Sequence, residues 1–509
     1  MERFMTRHED RIVGILSGFD RVLFRGTLRW LCYVDGLDKF LGSQRVLYKD
    51  FGGYAARLSD RIKAQARTLA DETGRPFEYL PSSRLRKETH ARAIAARDGI
   101  TEGLVCVLSC VEPCRSFSVR RNRAQKRLQL VSAERKCLHL YFYFLDPDFG
   151  LMHVRLQTWL PFTIQVCVNG RAWLARQLTR AHIPYTQVDN CFTTIANPAR
   201  AQSLADDLAD WPWERWLRRL AEQVNPWVGG EASLFRGYYW SVRESEYATD
   251  VMFRDAAAVT TLYPRLIRHA IETFRSEDVL RFLGHRPIGF DREVQSDLRR
   301  RVEGVRVKHW VAENSVKMYD KAGSLIRIET TINNPDRFKV RRRRPSDGRL
   351  DWLPLRRGVA DMRRRAAISQ AANARYLDAL SVVGEPTPSH RLLDPVSHRV
   401  THRGRPFRPL RPISPQDAPL LQTVVRGEFR LRGFTNRDIR HRLAPAPPDD
   451  AADARRQAAR VSRQLRLLRA HGLIRKVTGT HLYRLTRKGD AVIATAIRFR
   501  ETDLALLAA

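Results

Sequence analysis

The sequence predicts an α+β protein of several domains, and three features lead there. Short strand-like runs follow one another at meander spacing, Pro-free helical stretches lie between them, and a Pro-rich tract sets off a C-terminal segment. At 509 residues the chain exceeds the usual domain size of about 100 to 200 residues, so more than one core is expected.

Residues 1–230 read as an α+β domain with an antiparallel meander. Two apolar runs, Ile12 to Leu16 and Val22 to Phe24, flank Gly18 in a hairpin pattern. Helices are expected from Tyr54 to Thr73 and from Lys87 to Arg97, both rich in Ala, Arg and Leu. The strand-like runs are Val105 to Leu108, Leu128 to Val131, Leu138 to Leu145, Met152 to Trp159 and Ile164 to Val168, with a helix from Arg171 to Ala181 packed on them. Residues 231–383 form a basic α+β domain: an aromatic strand from Tyr238 to Val242, helices around Thr261 to Phe274 and Glu277 to Leu283, and a three-strand meander between Gly304 and Ile332. In residues 384–415 proline recurs every few positions, as in a semi-rigid linker, and residues 416–509 make a last domain.

Lys and Arg number 90 against 55 Asp and Glu, a formal charge of +35 that repels itself in a compact state unless a polyanion neutralises it. Nucleic acid is the expected partner, DNA first and RNA second. A membrane is not expected, because there is no run of about 18 apolar residues and no lipidation motif. Met1 to Asp10 lacks the apolar core of a secretory signal, so the reading is cytoplasmic. The seven cysteines are an odd number in a large chain and do not suit a disulfide framework. Cys106, Cys110 and Cys114 recur every fourth residue inside a Val-rich apolar stretch and read as buried strand residues rather than zinc ligands.

In Gly304 to Asn334, a three-residue loop ending in Gly323 puts Lys317, Tyr319, Arg327 and Glu329 on one face and Val316, Met318, Ile326 and Ile328 on the other. A two-residue turn at Glu313-Asn314 adds Arg306, Lys308 and Trp310 to the polar face, and Val305, Val307 and His309 to the apolar one. Cations with aromatic rings suit nucleic acid, since phosphates meet the charges and bases stack on the rings. The run Arg341, Arg342, Arg343 and Arg344 reads as a solvated phosphate-binding loop.

"SVKMYDK" followed by "LIRIE" resembles the strand pair of rolling-circle replication initiators, which nick DNA through a tyrosine and stay on the 5′ phosphate. The resemblance implies Tyr319 or Tyr239 as nucleophile, Lys317, Lys321 and Arg327 on phosphate oxygens, and Mg²⁺ or Mn²⁺ on Glu329. Glu246 and Asp250, in "YYWSVRESEYATDVMF" with Glu244, would complete the oxygen ligands. The His-hydrophobic-His motif of most nicking relatives is not found. A structural reading stays open beside this one, because cross-strand Lys–Glu or Arg–Glu pairs ordinarily stabilise sheets by about 0.2 to 1 kcal/mol. Asp20 with Asp146 or Asp148 is a further carboxylate pairing, but Asp before Gly or Pro reads first as a turn residue.

At the C-terminus, Ser414-Pro415-Gln416-Asp417 opens a helix through Val425 that Gly427 ends; Phe429, Leu431 and Phe434 suggest a short strand, and Thr435 to Asp438 caps a helix to Leu443. After a Pro-rich insertion at Pro445 to Pro448, a helix from Ala451 to His471 carries Val461, Leu465 and Leu468 on one face and Arg455, Arg456, Arg460, Arg463, Arg466 and Arg469 elsewhere. Gly472 stops it, and a hairpin with Lys476 and His481 follows. "LLRAHGLIRKVTGTHLYRLTRKG" resembles the winged-helix domains of MarR-like regulators. That resemblance implies a third helix in a DNA major groove with the hairpin beside the backbone. Those regulators usually dimerise; an oligomer is compatible with this sequence, but the dimer helices are not evident in it.

Three function classes follow: an initiator or strand-nicking protein of a mobile genetic element, a non-enzymatic winged-helix regulator, and an RNA-binding protein.

Overall fold

The computed structural model describes residues 1–82, 84–229, 233–285, 293–301, 304–383, 389–444, 448 and 450–502. The chain is α+β and forms two compact units, neither continuous in sequence. The meander unit comprises Gly14–Met252 and Glu329–Gln370; the C-terminal unit comprises Met1–Val13, Phe253–Ile328 and Ala371–Ala509.

In the meander unit the strands Tyr239–Phe253, Ile12–Thr27, Ile164–Asn169, Gly150–Gln157, Arg127–Asp146, Gly103–Asn122 and Phe77–Tyr79 lie side by side in that order. Gly103–Asn122 through Ile164–Asn169 pair antiparallel, as the spacing predicts. The expected hairpin at Gly18 is instead one continuous strand, Ile12–Thr27. Its glycines mark close packing: a Cβ on Gly26 would lie 2.5 Å from Ile164 Cγ2, and one on Gly18 3.3 Å from Ala205 Cβ. Leu128 to Val131 and Leu138 to Leu145 likewise belong to one strand, because the polar segment between them pairs on, Ser132 with Phe117 and Arg135 with Cys114.

One face of this sheet is apolar. Val22, Phe24, Phe142, Val154 and Val166 are buried with Leu58 and Ile62 of the helix Phe51–Glu72, Trp173 of Gly170–Arg180 and Trp216 of Trp213–Val224. Part of the opposite face is covered by the helix Lys87–Arg97, whose Ala91 and Ile94 pack on Cys106, Cys110, Tyr141 and Tyr143. All seven cysteines are free thiols; Cys106 and Cys110 are buried strand residues, and burial pushes Cys106 up to about 12.

In the C-terminal unit, Gln295–Arg301, Gly304–Val311, Asn314–Lys321 and Leu325–Ile332 are neighbours in that order, the last strand crossing the unit boundary at Ile328. The turn after Gly304–Val311 is Ala312-Glu313, both left-handed at φ 47° and 72°, and Val311 faces Asn314. The expected turn lay one residue further on. Moving it by one shifts each pairing by two positions, so the two faces survive: Val307, Val316 and Met318 are buried. His309 shares the apolar side, where its ring nitrogens meet Ser296 Oγ at 2.7 Å and Tyr376 Oη at 3.1 Å.

The C-terminal segment has the helices Ala418–Val424, Gly427–Arg432, Asn436–Leu443, Ala451–Ala470 and Arg487–Glu501, with the paired strands Ile474–Lys476 and Tyr483–Leu485. Leu421, Phe434, Ile439, Leu465, Leu468 and Ile493 share one core. Thr435 and Asp438 form the expected capping box, and Gly472 is left-handed at φ 74°. Phe429 and Leu431 are helical rather than a strand; Phe434 alone bridges to Tyr483. Gly427 starts a helix instead of ending one, and its N–H donates to Asp278 Oδ1 at 2.6 Å. A Cβ there would lie 2.4 Å from that oxygen, which accounts for the glycine. Residues 389–410 hold the helix Ser389–Leu393 and the hairpin Val400–His402 with Arg405–Phe407, and Val396 and Leu410 join the C-terminal core. Residues 384–388 and 445–447, from the expected linker and Pro-rich insertion, lie outside the described residues.

An ion-pair network ties this segment to the helix Ser276–Phe282. Glu428, 2% exposed, meets Arg281, Arg426 at 3.7 Å and Arg442 at 3.6 Å, and Arg426 also reaches Glu277 at 2.7 Å. Removing one partner of a buried network strands the others in a low dielectric. Glu428→Ala is therefore expected to lower unfolding free energy by about 3–5 kcal/mol in urea denaturation, and a loss under about 1 kcal/mol would contradict the network. Burial pushes His309 down from 6.5 to about 4. A depressed base favours folding above pH 6.5 and loses that contribution as pH falls toward 4, so stability should decline over that interval and His309→Gln should flatten the decline in pH-dependent denaturation.

Candidate nucleic-acid interface

The helix Ala451–Ala470 begins at Asp450, whose side chain accepts from Asp453 N, and packs on the core through Val461, Leu465 and Leu468. At 100° per residue, Arg455, Arg456, Arg460, Arg463 and Arg466 fall within roughly 140° of its circumference, away from those three side chains. All five are exposed. Among the described residues only Arg456 of the five meets a carboxylate, Asp453 at 3.4 Å within the same helix. Arg469 is half-buried at the core end. Asn436, at the start of the preceding helix, donates to Ala458 O at 3.0 Å and Ser462 Oγ at 2.9 Å, which fixes the angle at which the arginine face is presented.

The hairpin beyond Gly472 adds further charge. Lys476 and His481 are exposed, and Arg475 sits directly across from Arg484. Like charges opposite one another destabilise a strand pair, so this pairing favours an anion nearby. In the same unit Arg306, Lys308, Trp310, Lys317 and Tyr319 are half-buried, with Arg306 across from Tyr319 and Lys308 across from Lys317. Arg306 also pairs with Asp297 at 3.3 Å, and Lys308 Nζ lies 5.2 Å from the Trp310 ring centroid. Lys321, Arg327 and Glu329 are buried, so these three do not join an open polar face.

In the meander unit the Arg341 to Arg344 run is not a loop. Lys339–Arg343 is a strand paired with Leu350–Pro354, and Arg341 stands across from Trp352, which is 63% exposed. Arg344 is held by Asp351. Tyr239 is 41% exposed under the Arg29 guanidinium, 3.6 Å from its ring centroid. Three of the carboxylates expected to bind metal are engaged by arginine: Arg21 reaches Glu244 at 2.5 Å and Glu246 at 3.3 Å, and fully buried Asp250 meets Arg171 at 3.0 Å. A metal on Glu246 and Asp250 would have to displace both guanidinium groups. Among the described residues no group of three or more His, Cys, Asp or Glu is arranged to hold a metal. Asp20, 5% exposed, accepts two hydrogen bonds from Asn190, and Asp146 accepts from Asp148 N and Phe149 N in a turn.

Sequence reading missed a second gathering of cations. On the sheet face opposite the apolar core, Arg25 and Arg155 both stand across from Gln165. Burial, together with Arg243, Arg115 and Arg155, lowers the Arg25 guanidinium below its ordinary value. The buried Glu112 holds Arg155 at 2.7 Å and Lys87 at 3.2 Å and accepts from Tyr141 Oη. These residues come from separate strands with no shared motif, and only the register aligns them. Trp30 and Trp352, both exposed beside arginines, did carry a local signal: an aromatic ring within a basic stretch.

No family model matches the chain, and no curated protein matches it. Among solved structures it is similar to a rolling circle replication initiator protein from Geobacillus stearothermophilus, at 10% identity and a TM-score of 0.17, over 46% of this chain and 79% of that one. Likeness at that level decides neither fold nor activity.

If the arginine face meets phosphates, replacing Arg455, Arg460 or Arg463 by Ala should each reduce the slope of log K against log salt for duplex DNA by about 0.9. Unchanged slopes in all three, measured by fluorescence anisotropy, would remove the face from the interface.

Proposed function

We propose that the protein binds DNA, with the helix Ala451–Ala470 as its duplex-reading element. The observation that carries this is the set of five exposed arginines on one arc, of which a single one has a carboxylate partner. A helix is about 10–12 Å across with its side chains and the major groove of B-DNA about 12 Å wide, so the arginines reach phosphates on the groove walls and base edges on its floor. The order of helices, the Phe434 bridge to Tyr483 and the hairpin after Gly472 support reading residues 416–509 as a winged helix resembling those of MarR-like regulators. Arg440, on the preceding helix, adds charge, whereas Arg442 is engaged by Glu428 and Glu277. No described helix is long and apolar enough to cross a membrane.

A second reading makes the protein an initiator or strand-nicking protein of a mobile element. It is favoured by Tyr319, which stands across from Arg306 on a strand that also carries Lys317. Cations beside a phenol lower the barrier to forming a phenolate and meet the developing charge on a phosphate.

Selection of bound duplexes from a random library, followed by salt titration, tests the first reading. Enrichment of a defined sequence with steep salt dependence is expected, and equal retention of all sequences would contradict site recognition. Labelled hairpin DNA with Mn²⁺ tests the second: a protein-linked 5′ fragment that Tyr319→Phe abolishes supports nicking, while duplex binding without cleavage supports a regulator. RNA that copurifies and resists displacement by duplex DNA would point to an RNA-binding protein instead.

A further inference from the structure

A cavity of about 1010 Å³ opens in the meander unit where the strand Ile12–Thr27 ends and Tyr239–Phe253 begins. That is the upper end of the range of about 300–1,000 Å³ usual for small-ligand sites. Its aromatic walls are Trp30, Phe40, Phe235, Tyr238, Tyr239 and Trp240. Its cations are Arg29, Lys39, Arg236, Arg356 and Arg357, with Glu214 as the one acidic side chain among the described lining residues. Trp30 is 74% exposed, so one large ring offers a face that the protein's own packing leaves uncovered, while the Tyr239 ring carries the Arg29 guanidinium over it, 3.6 Å from its centroid.

The walls are fixed before any ligand arrives. Tyr238 Oη donates to Phe162 O at 2.7 Å and accepts from Asn225 Nδ2 at 2.7 Å. The segment carrying Arg356 and Arg357 is tied to the neighbouring strand by Val242 N donating to Arg357 O at 2.7 Å and by a bridge between Ser241 and Gly358. Arg357 also holds Asp336 at 3.0 Å, so its guanidinium is oriented. Stacked rings ask for flat aromatic groups, and a ring of cations asks for phosphate or carboxylate. An acidic peptide would satisfy the charges and leave the exposed Trp30 face unmatched. A base with its phosphate satisfies both, and a base inside a duplex cannot present its face to Trp30.

We propose that this cavity binds nucleotide units of single-stranded nucleic acid, with a base stacked on Trp30 and phosphate held by Arg29, Arg356 or Arg357. The site lies apart in sequence from the arginine helix and gives the protein a second, single-strand contact beyond duplex binding.

Fluorescein-labelled oligothymidylate, dTMP and a labelled duplex are titrated in parallel against the full chain. Trp30→Ala, at an exposed position that leaves the core intact, should weaken oligothymidylate binding roughly tenfold or more; Trp30→Phe should restore most of it, and duplex affinity should not change. Unchanged oligothymidylate affinity in Trp30→Ala would overturn the proposal. So would dTMP binding as tightly as the oligonucleotide, which would make the occupant a free nucleotide. Loss of duplex binding alone would bear on the arginine helix and leave the cavity standing.

Discussion

Cations outnumber carboxylates in this chain, 90 to 55, and several of the buried carboxylates are held by arginine. Asp250 meets Arg171, Glu112 meets Arg155 and Lys87, Glu428 meets Arg281, and Asp490 meets Arg430 at 2.8 Å. Each of these acids would be costly to bury alone, and each guanidinium supplies the charge and donors that make burial tolerable. The consequence reaches the surface. Acids committed to internal pairs cannot screen the exposed cations, and the arginine excess collects on a few faces.

Those faces differ in construction. On Ala451–Ala470 the helical period alone gathers the arginines, so a local pattern creates the charged arc. On the meander sheet, strand register aligns Arg25 and Arg155, with the surrounding cations close enough to lower Arg25. At the large cavity, aromatic faces accompany the cations. A long polyanion fits the first arrangement, and an unstacked base with its phosphate fits the third. The arginine helix and the cavity belong to different compact units of the chain.

Much of the fold was legible because it follows local rules. The helix Lys87–Arg97, the meander from Gly103 to Asn169, the Thr435 capping box and the stop at Gly472 were each written in spacing or in a single residue type. Gly18 and Gly427 misled for one shared reason. Both were read as breakers, whereas one relieves close packing inside a strand and the other admits a carboxylate from a helix about 150 residues away in sequence. The Arg341 to Arg344 run misled because a basic tract carries no sign of its partner strand, which begins at Leu350. The carboxylates expected to bind metal were read without their arginines, since Arg21 and Arg171 lie far from Glu246 and Asp250 along the chain. Pairing between positions 79 and 225 residues apart leaves no local trace.

Hydrogen exchange of the intact protein with and without a saturating duplex at low salt tests the central idea most directly. Slowed exchange in residues 451–470 and 474–485, reversed by added salt, is what an arginine helix seated in a groove predicts. Exchange in both segments that is indifferent to the duplex, while DNA remains bound, would show that the contact lies elsewhere on the molecule.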